Sequence, residues 1–177
     1  MLLTGFEPFG RWRVNSSWEG ARLAARRFGP RVRLTRLPVD HALAAERLRA
    51  ELAAQRPSIC LLTGLAAGGR VRLERLARRE RFIDLPEDAS WPDGPAERRG
   101  AWRWGAARSR IAAIGPCAFS EDAGLYVCES AYRALLDWRA ETGRPRAAAF
   151  LHVPPLSRAW PPERIARAIE AALAAMM

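Results

Sequence analysis

Lysine is missing from this chain altogether. Its 29 basic side chains are all arginine, set against 19 acidic ones, and the formal charge is +10 with a pI near 11.2. Such a balance ordinarily suggests an anionic partner. Here the arginines are scattered among many alanines, a pattern of residue usage rather than of a built patch. The densest stretch is AERRGAWRWGAARSR at 96–110, where Trp102 and Trp104 lie among Arg98, Arg99 and Arg103. Aromatic rings beside arginines are one way to hold a single strand. The other reading, which we favour, is a solvated segment whose two tryptophans alternate at period 2 and pack on the core. Nucleic acid is therefore set aside as a partner.

Long apolar runs are also missing. No stretch approaches the roughly 18–20 residues that cross a bilayer, and the start, MLLTGFEPFG, lacks the basic head, apolar middle and cleavage site of a secretion signal. The expectation is a cytoplasmic protein with no membrane partner. Cysteine and histidine are scarce: Cys60, Cys117, Cys128, His41 and His152 are all there are. With an odd number of cysteines, no CxxC and no metal-ligand spacing, neither a disulfide framework, a metal site nor a cofactor is expected.

What is present is a layered pattern. With 177 residues and 49% apolar content, the chain is long enough for one domain with a substantial core, spanning 1–177. Short apolar runs at 2–4, 32–39, 59–65 and 147–153 read as strands, and Val71 to Leu85 as a more ambiguous segment with a strand ending near FIDLP. Helical periods lie between them. SSWEGARLAARRF offers Ser16 with Glu19 three residues on, a capping-box spacing. DHALAAERLRAELAAQ offers Asp40 as N-cap, an apolar face of Leu43, Leu48 and Leu52, and an end before Pro57. A last helix after Pro161 and Pro162 aligns Ile165, Ile169, Leu173 and Met176. The longest expected loop is 85–100. The fold class is α/β, with helices on both faces of a mainly parallel sheet. In such sheets a ligand binds beyond the carboxyl ends of the strands, so GFEPFG, GLAAGGR and LHVPP merit most scrutiny.

Placement separates the candidates for chemistry. Cys60, inside ICLLTG, and Cys117, after Gly115-Pro116, read as small apolar residues. Cys128 follows Ala123-Gly124 and opens VCESAYRALLDW, whose Val127, Ala131, Leu135 and Trp138 share one helical face. A thiol in a first turn feels the positive end of the helix dipole, which favours thiolate. A gap-filling cysteine is the alternative. His152 ends AAAFLH, where a strand delivers its side chain to the site edge, although a satisfied core histidine is the commoner case. His41, just past an N-cap aspartate, reads as exposed and is the poorer base. Glu74 follows the third strand closely enough to orient an imidazole, or equally to pair with Arg70 or Arg78 on the surface.

Taken together, GFEPFG with Asn15, LPV at 37–39, GLA with ERLA at 64–77, GP-A-FS--AGLYVC at 115–128 and FLHVP at 150–154 resemble the pyroglutamyl peptidase I family, in order and from end to end. That resemblance implies a single three-layer α/β/α domain and a cysteine peptidase that removes N-terminal pyroglutamate from small peptides. It makes Cys128 the nucleophile, His152 the base and Glu74 its orienting acid. Phe6 and Phe9 match aromatics that enclose the lactam ring, and Asn15 a position near them. Two positions depart from the family pattern: Glu129 and Arg79 stand where asparagines are usual. The segment before Cys117 and the connection after His152 are also shorter than usual. The same resemblance is compatible with a homo-oligomer, with hydrolysis of another small amide or modified N-terminus, and with a binding protein that has retired the chemistry.

Overall fold

The strands at the centre of this protein are apolar on both faces, so the sheet is covered on both sides. In a computed structural model, which describes residues 1–79, 94–124 and 126–177, Ile59–Leu65 (β3) and Ala147–Val153 (β8) are buried at every position. They pair in parallel, with Gly64 beside His152. Leu2–Phe6 (β1) lies on the other side of β3, and Arg33–Leu37 (β2) forms the edge beyond it, both parallel. Val71–Glu74 (β4) runs antiparallel to β8, and Cys117–Ser120 (β7) runs parallel to β4 at the far edge. The six-stranded order is β2-β1-β3-β8-β4-β7. Leu76–Arg78 (β5) and Glu97–Arg99 (β6) make a separate two-stranded ribbon.

Period 2 sorts the side chains of these strands to two helical layers. Leu3, Leu61, Leu73 and Leu151 face Ser16–Phe28 (α1), Trp104–Ala112 (α3) and Pro162–Ala174 (α5). Leu2, Leu62, Ala148 and Phe150 face His41–Gln55 (α2) and Val127–Thr142 (α4). The expected α/β layering with a mainly parallel sheet is thus the observed fold. On α5, Ile165, Ile169 and Leu173 are fully buried, and Met176 follows just past the helix end.

Several local expectations are corrected. The N-cap of α1 is Asn15, whose side-chain oxygen accepts from the Ser17 N–H. Ser16 is already helical, and Glu19 pairs with Arg22 instead of closing a capping box. Asp40 does cap α2, accepting from the Leu43 N–H at 2.8 Å, and that helix ends at a left-handed Arg56 before Pro57. Leu48 and Leu52 are buried, but Leu43 is 54% exposed. Residue 43 lies 100° × 5 from residue 48 on the helical wheel, far off the buried stripe. The 71–85 segment begins as two short strands, β4 and β5, with FIDLP outside the described residues. Of the loop expected at 85–100, residues 85–93 likewise lie outside them, and β6 occupies its end. Trp102 and Trp104 pack against the core with ring centroids 5.2 Å apart. Trp104 opens helix α3 rather than continuing a strand.

Candidate active site

The end of β1 is held in place by a small polar clasp. The Asn15 amide donates to the Glu7 carbonyl at 2.8 Å, and its oxygen accepts from the Ser17 N–H and hydroxyl. Ser17 Oγ in turn accepts from the Phe6 N–H. One asparagine thereby caps α1 and fixes the turn that carries the two phenylalanines. Phe6 is buried and Phe9 is 38% exposed, and both line a cavity of about 580 Å³. Asn15 reaches the same wall, with its polar groups engaged in the clasp.

Opposite, β8 continues the apolar surface toward a polar end. Phe150 lies 6.4 Å from Phe6 and 4.7 Å from the His152 ring, centroid to centroid. His152 is 3% exposed and its Nδ1 lies 2.8 Å from Oε1 of Glu74, which is fully buried. The pairing follows from register: Glu74 and Arg72 share a face of β4, and β4 runs antiparallel to β8 with Arg72 opposite His152 and Glu74 opposite Phe150. The Tyr132 hydroxyl donates to the Glu74 carbonyl at 3.0 Å, anchoring β4 to α4.

Cys128 is the second residue of α4, partly exposed to the same cavity that His152 lines. Two glycines allow this. Gly124, at φ +77, adopts a backbone that side chains disfavour and turns the chain into the helix. Gly64 has no Cβ, and one added there would stand 3.0 Å from Cys128 Sγ and 2.8 Å from Phe150. No side chain of the N-cap residue, Tyr126, caps α4. Val127 and Cys128 of its first turn line the cavity, and the first N–H groups of a helix have no partner within it.

The electrostatics single out this thiol by its neighbours. Burial pushes Cys128 up to about 12, and the carboxylates of Glu74 and Glu129 add to the rise, while Arg72 pulls it down. Ionisation of Cys128 therefore requires a proton acceptor at hand rather than bulk water. Cys60 is fully buried and pushed up mainly by desolvation. Cys117 is half-exposed on β7, its thiol 3.6 Å from the Arg108 carbonyl.

The pyroglutamyl peptidase family model matches residues 1–101. A pyrrolidone-carboxylate peptidase of Thermococcus onnurineus is 34% identical over 166 residues, covering 87% of this chain and 82% of its own. The chain belongs to the pyroglutamyl peptidase family. The corresponding Deinococcus radiodurans protein is 37% identical over 169 residues, 87% of this chain and 77% of that one. Among solved structures, pyroglutamyl peptidase I from Bacillus amyloliquefaciens superimposes with a TM-score of 0.82 at 26% identity, covering 99% of this chain and 95% of that one.

The two departures from the pyroglutamyl peptidase pattern have distinct settings. Glu129 is buried, and its carboxylate turns from the cavity to accept a hydrogen bond from the Arg78 N–H. Burial raises its carboxyl from 4.5 to about 7, against the pull of that N–H and of the Arg78 charge. Arg79 is exposed, and its backbone N–H bonds to the Ala96 carbonyl at 2.8 Å, joining β5 to the segment before β6.

Two further residues line the cavity that sequence reading ranked low or left out. His41 is half-buried rather than exposed, its Nδ1 2.7 Å from Ser130 Oγ, and it contributes to the cavity wall. The available signal was its place at the first helical residue after a parallel strand, where ligand crevices open. Arg72 was left out, although it stands two residues from Glu74 on a strand and so shares its face.

Proposed function

We propose that this protein hydrolyses the N-terminal pyroglutamyl residue from small peptides, with Cys128 as nucleophile, His152 as general base and then acid, and Glu74 as the group that orients His152. The observation that carries the reading is the buried His152–Glu74 contact at 2.8 Å opening onto the apolar cavity that also holds Cys128, Phe6 and Phe9. Phe6 and Phe9 offer flat apolar area to the lactam ring. Asn15 acts through the clasp that positions them.

In the proposed sequence, His152 takes the Cys128 proton as the sulfur attacks the pyroglutamyl carbonyl carbon. The S–C bond forms and the carbonyl oxygen becomes an oxyanion, met by N–H groups at the start of α4. The C–N bond then breaks as His152 gives its proton to the departing amine, leaving a thioester. His152 next removes a proton from water, whose oxygen attacks the thioester carbon. The C–S bond breaks, the proton returns to sulfur, and pyroglutamate leaves. Glu74, ionised beside Nδ1, favours the imidazolium formed twice along this path. In this scheme a neutral histidine that donates its Nδ1–H to Glu74 keeps Nε2 as the atom that takes the thiol proton.

Residues 1–177 act as one functional unit, a reading supported by a sheet that draws strands from residue 2 to residue 153. We also propose a reducing, cytoplasmic site of action, which three free cysteines suit. The test is hydrolysis of a fluorogenic pyroglutamyl amide by the purified protein beside Cys128→Ala. Turnover by the wild type alone is the expected result. Equal turnover in the variant, or none by a folded wild type, would overturn the mechanism.

A further inference from the structure

Arg72 has no part in the mechanism above, yet it occupies the most polar corner of the cavity. On β4 it shares a face with Glu74, and in the register with β8 it stands directly opposite His152. Its Nε is buried without a hydrogen-bond partner and lies 3.6 Å from Glu74 Oε1, the oxygen that His152 Nδ1 approaches to 2.8 Å. At 3.6 Å that contact is ionic rather than a formed hydrogen bond. Glu74 is the sole ionic partner of Arg72 among the described residues. The side chain is 36% exposed, and it is part of the cavity wall. Among the described residues of that wall it is the one fixed charge, and none is a carboxylate.

A guanidinium set in an apolar cleft favours an anion, since poor solvation strengthens the attraction and the planar fork fits a carboxylate. The position of Arg72 beside His152 says which part of a substrate that anion belongs to. His152 is the group that protonates the departing nitrogen. In a pyroglutamyl dipeptide the free carboxylate hangs on the carbon bonded to that nitrogen, its oxygens within about 4 Å of it. In a longer peptide or a C-terminal amide the same place holds a neutral carbonyl. We infer that Arg72 is a specificity-determining residue that binds the terminal carboxylate of the leaving amino acid, so that pyroglutamyl dipeptides with a free C-terminus are the preferred substrates. This inference rests on the proposed peptidase function.

The test compares pyroglutamyl-alanine with its C-terminal amide, for the wild type, Arg72→Gln and Arg72→Lys. The wild type is expected to favour the acid by about 10- to 100-fold in kcat/KM, mostly through KM, the range for one charge-assisted contact. In Arg72→Gln the ratio of acid to amide falls toward one, and Arg72→Lys restores part of it. Pyroglutamyl-glutamate with an amidated C-terminus carries its carboxylate on the side chain and is expected to behave as the amide. Its matching the acid would overturn the assignment to the terminal carboxylate. Equal rates on acid and amide in the wild type, or an unchanged ratio in Arg72→Gln, would overturn the inference. The second result is what a purely structural support of Glu74 by Arg72 would give, since both substrates would slow together. Calorimetric binding to Cys128→Ala separates this inference from the function it rests on. Tighter binding of the acid without turnover by the wild type would leave Arg72 as a carboxylate site and sink the peptidase reading, whereas turnover by the wild type with equal binding of acid and amide would sink the inference alone.

Discussion

The two faces of the one sheet are buried alike but filled differently. Toward α1, α3 and α5 the strands present leucine, alanine and valine to the fully buried Ile165, Ile169 and Leu173. Toward α2 and α4 the same strands begin with leucine and phenylalanine and end in His152, Glu74 and Arg72, with buried Glu129 and Tyr132 facing them from α4. The first face accounts for stability in the ordinary way, by apolar area removed from water. On the second, polar groups are kept from solvent, where each depends on a specific neighbour. Structure and chemistry are thus divided between sides of a strand, one residue apart.

Substitutions on each face should have opposite signatures, the largest on the polar one. Glu74→Gln keeps the shape but removes the charge that supports His152 as imidazolium. Turnover is expected to fall roughly 10³-fold, about 4 kcal/mol of barrier, with little change in melting temperature. Steady-state kinetics with a thermal melt checks both. Ile169→Ala on the apolar face should do the reverse, costing about 2–5 kcal/mol in denaturant unfolding while the folded fraction keeps its kcat. Loss of kcat in the folded fraction would break the division between faces.

Glu129 sharpens the comparison through pH. Its carboxyl rises from 4.5 to about 7 on folding, chiefly because burial opposes the charge. The folded protein therefore holds this proton more tightly than the unfolded chain. Its contribution to stability is present below about pH 4.5 and is lost as pH climbs through about 7. Relative to Glu129→Gln, the wild type should lose on the order of 3 kcal/mol between those limits. Urea unfolding of both proteins at pH 4.5 and pH 8 measures the difference, and parallel curves would refute it. The smallest effect is expected at Leu43→Ala, within about 0.5 kcal/mol, because this leucine is 54% exposed.

Periodicity carried much of this arrangement at the level of sequence. The bounds of β3 and β8 were readable because central parallel strands are unbroken apolar runs, and Asp40 because a short acidic side chain before an apolar helix caps it. Cys128, His152 and Glu74 stood at strand ends and a helix start, and the family blocks drew them together. The Ser16 capping box failed because Asn15, one residue earlier, is the cap: its side chain takes the Ser17 N–H and grips Glu7, and its carbonyl takes the Glu19 N–H. Leu43 was misjudged because an apolar residue was counted without its angle on the wheel. Strand order was not legible: that β4 runs antiparallel against β8, and so sets Arg72 beside His152, depends on pairing between residues 80 positions apart in the chain. His41 reaches the cavity through a contact with Ser130 on another helix, which no local pattern records.

The central claim is that the thiol on the polar face is the nucleophile, and covalent labelling tests it most directly. The protein is treated with one equivalent of a pyroglutamyl chloromethyl ketone and its cysteine peptides are mapped by mass spectrometry. The account predicts one label on Cys128, with Cys60 and Cys117 unmodified, and no label in Glu74→Gln on the same timescale. A label on the half-exposed Cys117, or labelling of Cys128 no faster than by a chloromethyl ketone lacking the lactam ring, would contradict it.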